Sequence, residues 1–408
     1  MSHRHALAIL VLIVVGVAAG VFCGWYWGER MLAVAWLGAL FLNALKMMII
    51  PLIFAAVISG VASLGDVRKL GRLGGITIGY YVVTTGIAVS IGLVMVNWIQ
   101  PGVGLQFDRA ELPAEVAAMK EVGVSDLLLS LVSPNLVASA AETQLVPLIL
   151  FAILLSAALT TLGRTGQQVI EFFNGMNEAL MKLVIWLMYF APVGIFGLVA
   201  SRLGEAGGGA AFARDLAAVG WHVVTVLAGL AIHFVVLLLL LRFVARRGLD
   251  YLGGMLRAVL TAFGTASSSA TLPLTMECAR EAGIDRRAVR FVLPLGSTVN
   301  MDGTALYEAA AVMFIAQAYG IDMSFGQQMV VFVTATLAAI GAAGIPEAGL
   351  VTMVIVLSAV GLPLEGVGLL LSVDWFLDRF RTSVNVWGDA VGAAVVHRFL
   401  PDPSGPPG

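Results

Sequence analysis

Apolar stretches long enough to cross the roughly 30 Å hydrocarbon layer of a bilayer recur along nearly the whole chain. They fall near 6–27, 31–63, 71–99, 125–162, 172–202, 216–245, 288–319 and 365–397, which predicts eight transmembrane helices. Two further apolar segments, 253–282 and 325–361, are interrupted midway by small residues and a proline, at 264–273 and 338–349. Each half is too short to span alone. Both are expected to be re-entrant helical hairpins, whose tips must line a protein-enclosed cavity because lipid cannot satisfy exposed backbone groups. Each hairpin precedes one full span with polar residues midway, and the two hairpins enter from opposite faces. The predicted fold class is therefore an all-α polytopic membrane protein with inverted repeats, a transporter architecture whose site lies at the bilayer midplane.

Composition agrees with this pattern. The 408 residues are 60% hydrophobic and 12% charged, more apolar surface than a soluble domain can hide. The N-terminal run resembles a signal peptide, but it continues to about Trp27 without a small-residue cleavage site, so a first span is expected. Cys23 and Cys278 lie in or beside apolar segments without metal-type spacing, which argues against a disulfide framework or a zinc site. A net charge of −2 gives no sign of a nucleic-acid partner. Basic residues fix the orientation. Arg4, Arg68, Lys69, Arg72, Arg242, Arg246, Arg247, Arg280, Arg286, Arg287, Arg290 and Arg398 share one side if eight helices cross and each hairpin returns to its own side. The acidic loop 100–121 falls opposite. Both termini are expected in the cytoplasm.

The last span breaks the apolar pattern. Asp374, Asp378, Arg379, Arg381 and Asp389 place five charges within sixteen residues. At 100° per residue, Asp374, Asp378, Arg381, Asn385 and Asp389 form one stripe about 80° wide, while Arg379 stands off it. Charges at bilayer depth are costly and mark substrate or ion paths. Arg381 beside Asp378 is open to two readings, a structural ion pair or a ligand clamp. Asp389 and Asp302 have no basic partner at helical spacing, so each requires a proton or a bound cation. Hard oxygen ligands suit an alkali or alkaline-earth ion. As a clamp, Arg381 grips a carboxylate and Asp378 an ammonium. A second carboxylate could sit on Asn385, on Ser267, Ser268 and Ser269, or on backbone N–H groups at the hairpin tips. Together these describe an acidic amino acid, although serine clusters in membrane helices also serve close packing.

Four motifs carry a resemblance: 267–273 (SSSATLP), 300–307 (NMDGTALY), 344–353 (GIPEAGLVTM) and the 374–389 stripe. The chain resembles the glutamate/aspartate transporter family, the dicarboxylate/amino acid:cation symporters that include animal excitatory amino acid transporters, along essentially its whole length. The resemblance implies a homotrimer in the lipid bilayer, with a static scaffold and a transport domain that slides as an elevator. In that scheme 1–66 and 101–205 are scaffold, 67–100 and 206–400 transport domain, and 401–408 a tail. It implies that Arg381, helped by Thr304, binds the substrate side-chain carboxylate and Asp378 the amino group. Asn385 and Thr382 take the remaining polar atoms, with Ser268, Ile345 and Gly349 contributing from the hairpins. One sodium site would use Asp389 with Gly296, Asn300 and Asn385. A second would use Thr298, Met301, Ala339, Ile340 and Ala342, and a third Tyr81, Thr84, Thr85, Asn300 and Asp302. Asp374 is expected to support the site without touching cargo.

Some positions separate subfamilies. Glu308 stands where animal members carry a glutamate tied to proton coupling, and desolvation of a carboxyl there suits a proton carrier; its alternative is a hydrogen-bonded core residue. Arg379 follows the animal pattern and is expected to steady carbonyls of the first hairpin. Ala266 and Glu347 depart from the usual residues. The short loop within the fourth span suggests a prokaryotic protein, hence a bacterial inner membrane. The expected function is sodium-coupled and proton-coupled import of L-glutamate or L-aspartate, with no bound cofactor and a potassium counter-ion left open. A C4-dicarboxylate carrier would not need Asp378, and a neutral amino acid carrier would not need Arg381. An ion channel could use the same stripe as a pore lining. An intramembrane hydrolase would need a base near the serine run, and no His or Lys stands at that depth, so no enzyme activity is expected.

Overall fold

The computed structural model describes residues 3–62, 71–105, 132–142, 145–205, 209–341 and 348–400. Arg68, Lys69, most of the acidic loop, the start of the fourth predicted span, Ala342, Ile345, Glu347 and the tail lie outside these residues. The described chain is helical, without a strand. In order come α1 (His3–Trp27), a 3-10 turn (Gly28–Val34), α2 (Ala35–Ala62), α3 (Gly71–Ile99), α4 (Leu136–Ala141), α5 (Leu145–Thr161), α6 (Arg164–Glu205) and α7 (Gly209–Phe243). Then follow α8 (Leu249–Thr265), α9 (Ser268–Glu281), α10 (Arg286–Val299), α11 (Asp302–Ala318), α12 (Phe325–Gly341), α13 (Ala348–Ala359) and α14 (Val367–Phe399). Among the described residues, α3 and the 217–243 stretch of α7 are long and apolar enough to cross a membrane by length and composition.

Two packing groups emerge. α1, α2, α5 and α6 pack mainly on one another. In the second group, α3, α7, α11 and α14 surround the polar residues, and the helix pairs α8/α9 and α12/α13 pack at their margins. The groups meet where α12 and α13 lie on α2 and α5, and where α14 touches α6. The α8/α9 pair rests chiefly on α10 and α14. Phe22, Trp25, Tyr26 and Trp27 close α1 as an exposed aromatic cluster, in keeping with side chains that favour membrane interfaces.

The α8/α9 turn is tight. Thr265 ends α8, Ala266 adopts a left-handed φ of 48°, and Ser267 caps α9 by accepting a 3.2 Å hydrogen bond from the Ala270 N–H. Left-handed φ strains any residue with a Cβ. The bond from the Ala266 N–H to the Ala262 carbonyl at 2.8 Å supports the turn.

The seventh predicted span, 288–319, is not one continuous helix. α10 stops at Val299 and α11 starts at Asp302, with Asn300 (φ −111°, ψ 74°) and Met301 (φ −104°, ψ 63°) between them. Asparagine competes with helix bonding through its own side chain, and here α14 supplies the replacement partners. The Gly303 N–H donates to Asn385 Oδ1 at 2.7 Å, and Asn300 Nδ2 donates to Asp389 Oδ1 at 3.1 Å. Asn385 and Asp389 lie one turn apart, so a single face of α14 holds both sides of the break. The break leaves carbonyls in the last turn of α10 without helical partners.

Candidate functional site

The polar stripe of α14 meets the α10–α11 break and the face of α3 at two centres. At the first, Arg381 is completely buried. Its Nη2 donates to Asp378 Oδ1 at 2.9 Å, one turn away. Its Nη1 lies 3.0 Å from Asp374 Oδ1, two turns away, an ion pair whose angle falls short of a hydrogen bond. The guanidinium carbon stands 4.1 Å from the centre of the Tyr307 ring, a cation–π geometry. Gly349, at the start of α13, makes room for it, because a Cβ there would come within 2.6 Å of Nη1. Thr304 accepts a 3.1 Å bond from Asn385 Nδ2 beside this centre. Ser268 and Thr382 are also buried.

Two aspartates against one arginine leave this centre net negative when all three are ionised. A lone buried pair is weak evidence for stability, since desolvation offsets the attraction. Nε, which makes no hydrogen bond, and Nη1, held by Asp374 as an ion pair only, are the donors that a ligand carboxylate can take.

At the second centre, the Asp389 carboxylate lies against the Gly296 backbone, where a Cβ would meet Oδ1 at 2.3 Å and the Tyr81 hydroxyl at 2.9 Å. Asp302 accepts bonds from Thr85 Oγ1 at 2.9 Å and Thr84 Oγ1 at 3.3 Å, and Thr84 Oγ1 also lies 3.3 Å from Asn300 Oδ1. The Tyr81 hydroxyl donates to the Val292 carbonyl at 2.7 Å. The donors are carboxylate, amide and hydroxyl oxygens in a buried setting, the chemistry of a small hard cation. Thr298 turns its hydroxyl to the Leu295 carbonyl at 3.1 Å. Met301 and Ala339 are buried, and α10 packs on α12, but no hydrogen bond joins Thr298, Met301, Ala339 and Ile340 among the described residues.

Sequence reasoning missed one partner. His233 of α7 places Nε2 3.0 Å from Asp302 Oδ2, and both side chains are fully buried. A search at helical spacing could not find a residue 69 positions away. The available signal was a histidine inside the unbroken apolar run of α7.

Glu308 is fully buried, and neither carboxyl oxygen makes a well-formed hydrogen bond. Thr352 and Arg381 are the polar side chains that act on it. Arg379 turns away from the cluster and donates from Nη1 to the carbonyls of Phe263 and Gly264, at 3.1 and 3.0 Å. It therefore ties the end of α8 to α14.

Comparison with known proteins agrees with the site's composition. Residues 9–399 match the pattern of the "Sodium:dicarboxylate symporter family". An "Excitatory amino acid transporter" of Caenorhabditis elegans is 40% identical over 96% of this chain and 87% of its own length. "Excitatory amino acid transporter 3" of Oryctolagus cuniculus is 39% identical over 96% and 85%, and "Excitatory amino acid transporter 1" of Ambystoma tigrinum 38% over 89% and 76%. A match of this extent, on a helical chain with buried oxygen-rich centres, makes the protein a member of the sodium:dicarboxylate symporter family.

Proposed function

We propose that this protein is a membrane symporter that couples sodium entry to uptake of acidic amino acids. The observation that carries this reading is the buried Arg381 held between Asp374 and Asp378. An amino acid with a second carboxylate can exchange into that arrangement at both ends. Its side-chain carboxylate takes the Arg381 donors, and its ammonium takes Asp378. Asn385, Thr304 and Thr382 bind the remaining polar atoms, with Ser268, Ile345 and Gly349 at the hairpins. The names of the animal relatives support the substrate class.

Coupling follows from charge. Asp302 and Asp389 are buried near the substrate centre; Asp302 faces the His233 imidazole, and an ionised Asp389 requires a cation. Sodium at Asp389 with Gly296, Asn300 and Asn385, and at Asp302 with Tyr81, Thr84, Thr85 and Asn300, offsets these charges. A further sodium is assigned to Thr298, Met301, Ala339, Ile340 and Ala342. Glu308, a carboxyl fully buried beside Thr352 and Arg381, is the proton site.

The two packing groups support a scaffold of α1, α2, α5 and α6 and a moving body that includes α3 and α7–α14; the resemblance to the family adds a trimer of the inner membrane with both termini cytoplasmic. The α12/α13 hairpin lies against α2 and α5, whereas α8/α9 rests within the moving body. The face of α12/α13 on α2 and α5 is the surface along which an elevator would slide.

Uptake into proteoliposomes, with sodium and pH gradients imposed separately, tests the proposal. Labelled L-glutamate or L-aspartate should accumulate only with inward sodium. Sodium-independent succinate uptake without amino acid transport would overturn it.

A further inference from the structure

The substrate arginine leans on a chain of rings that begins on a different helix. Tyr307 of α11, fully buried, presents its ring to the Arg381 guanidinium at 4.1 Å. His222 of α7, also fully buried, meets the Tyr307 ring edge-on with centroids 6.1 Å apart. The same imidazole packs on Phe314 at 4.7 Å, two turns further along α11. Neither ring nitrogen of His222 has a hydrogen-bond partner. The imidazole therefore acts through its shape and ring face, at a cost in unmet polar atoms that a purely space-filling residue would avoid. It has no contact with the Asp302 and Asp389 centre among the described hydrogen bonds and ion pairs.

We infer that His222 is a positioning residue for substrate specificity: wedged against Tyr307 and Phe314, it sets the Tyr307 ring under Arg381 and so fixes where the guanidinium meets a carboxylate. Asp374 acts on the Tyr307 hydroxyl from one end, without a well-formed hydrogen bond, and the rings of His222 and Phe314 pack the rest of this side-chain region. Without His222 the Tyr307 ring can tip into the space left behind. Arg381 then loses a cation–π contact whose strength depends on the cation standing over the ring face. Asp374 and Asp378 still hold the arginine, so the expected loss falls on recognition of the substrate's second carboxylate rather than on the fold.

This inference rests on the proposed transport of acidic amino acids, and the test separates the two. Sodium-driven uptake of L-glutamate, L-aspartate and L-serine is measured in proteoliposomes for the wild type, His222→Ala and His222→Phe, together with the thermal midpoint of each. His222→Ala should raise KM for the acidic substrates about fivefold, the scale of a lost cation–π contact. Its maximal rate should change less than KM, and its preference for acidic over neutral substrate should fall. His222→Phe, which keeps the ring, should restore most of the affinity. A wild type that does not take up acidic amino acids would sink the functional reading itself. A wild type that does, beside a His222→Ala variant with unchanged KM and unchanged preference, would overturn the positioning role alone, whatever its thermal midpoint. The positioning role is likewise overturned if His222→Phe is as impaired in KM as His222→Ala.

Discussion

Asp374 Oδ1 stands 3.0 Å from Nη1 of Arg381, two turns along the same helix, so the arginine at the centre of the site is shared by two aspartates. Removing Asp374 leaves Arg381 to Asp378 alone and draws Asp378 away from a substrate ammonium. Asp374→Asn should cost about 3 kcal/mol of stability, the low end for breaking a buried ion pair, because Asp378 still holds Arg381. It should also raise KM for acidic amino acids. Thermal unfolding and uptake kinetics check this; a variant with wild-type KM would show that Asp374 has no influence on the clamp.

Gly296 lets the Asp389 carboxylate rest against its backbone. In a helix, alanine is intrinsically the better former by about 1 kcal/mol, yet a Cβ here would overlap Oδ1. Gly296→Ala should therefore weaken apparent sodium affinity about tenfold, through a displaced Asp389. The sodium dependence of uptake at saturating substrate reads this out, and an unchanged half-saturating sodium concentration would rule out Asp389 as a sodium ligand.

Arg379 binds the last carbonyls of α8 and touches neither Asp378 nor Arg381 through a described hydrogen bond. Arg379→Ala should loosen the α8/α9 turn while leaving substrate preference intact. Hydrogen exchange over 262–268 should rise by about tenfold, equivalent to one bond to a charged donor. Unchanged exchange together with altered preference would place Arg379 in the substrate site instead.

Glu308 is fully buried, with Thr352 and Arg381 as the polar side chains that act on it. Glu308→Gln imitates the protonated acid permanently, so uptake should lose its dependence on a pH gradient while exchange of internal for external substrate persists. Measured proton coupling in that variant would contradict the assignment.

Much of this architecture was legible in the sequence because its cause is local. The interruption at 264–273 is a turn written in small residues, and it appears as the Thr265–Ser267 bend. The stripe on α14 follows from helical periodicity alone, and it is what brings Asp374, Asp378 and Arg381 together. Periodicity also set Arg379 apart, and the side chain does leave the cluster for the carbonyls of α8. The break at Asn300–Met301 was not legible, since apolar residues continue on both sides and the forces that open it come from Asn385 and Asp389. The His233–Asp302 pair was hidden for the same reason: its partners lie on separate helices and meet only once α7 packs beside α11. His222 stands in an apolar helix without a neighbouring polar motif, and its contacts with Tyr307 and Phe314 of α11 arise only in the fold.

The central claim is that Arg381 recognises the second carboxylate of the substrate. Its most direct test is the ratio of sodium-driven L-glutamate uptake to L-serine uptake in Arg381→Cys compared with the wild type. The ratio should invert, with acidic uptake lost and neutral uptake gained. Glutamate uptake that survives the substitution with its preference intact would contradict it.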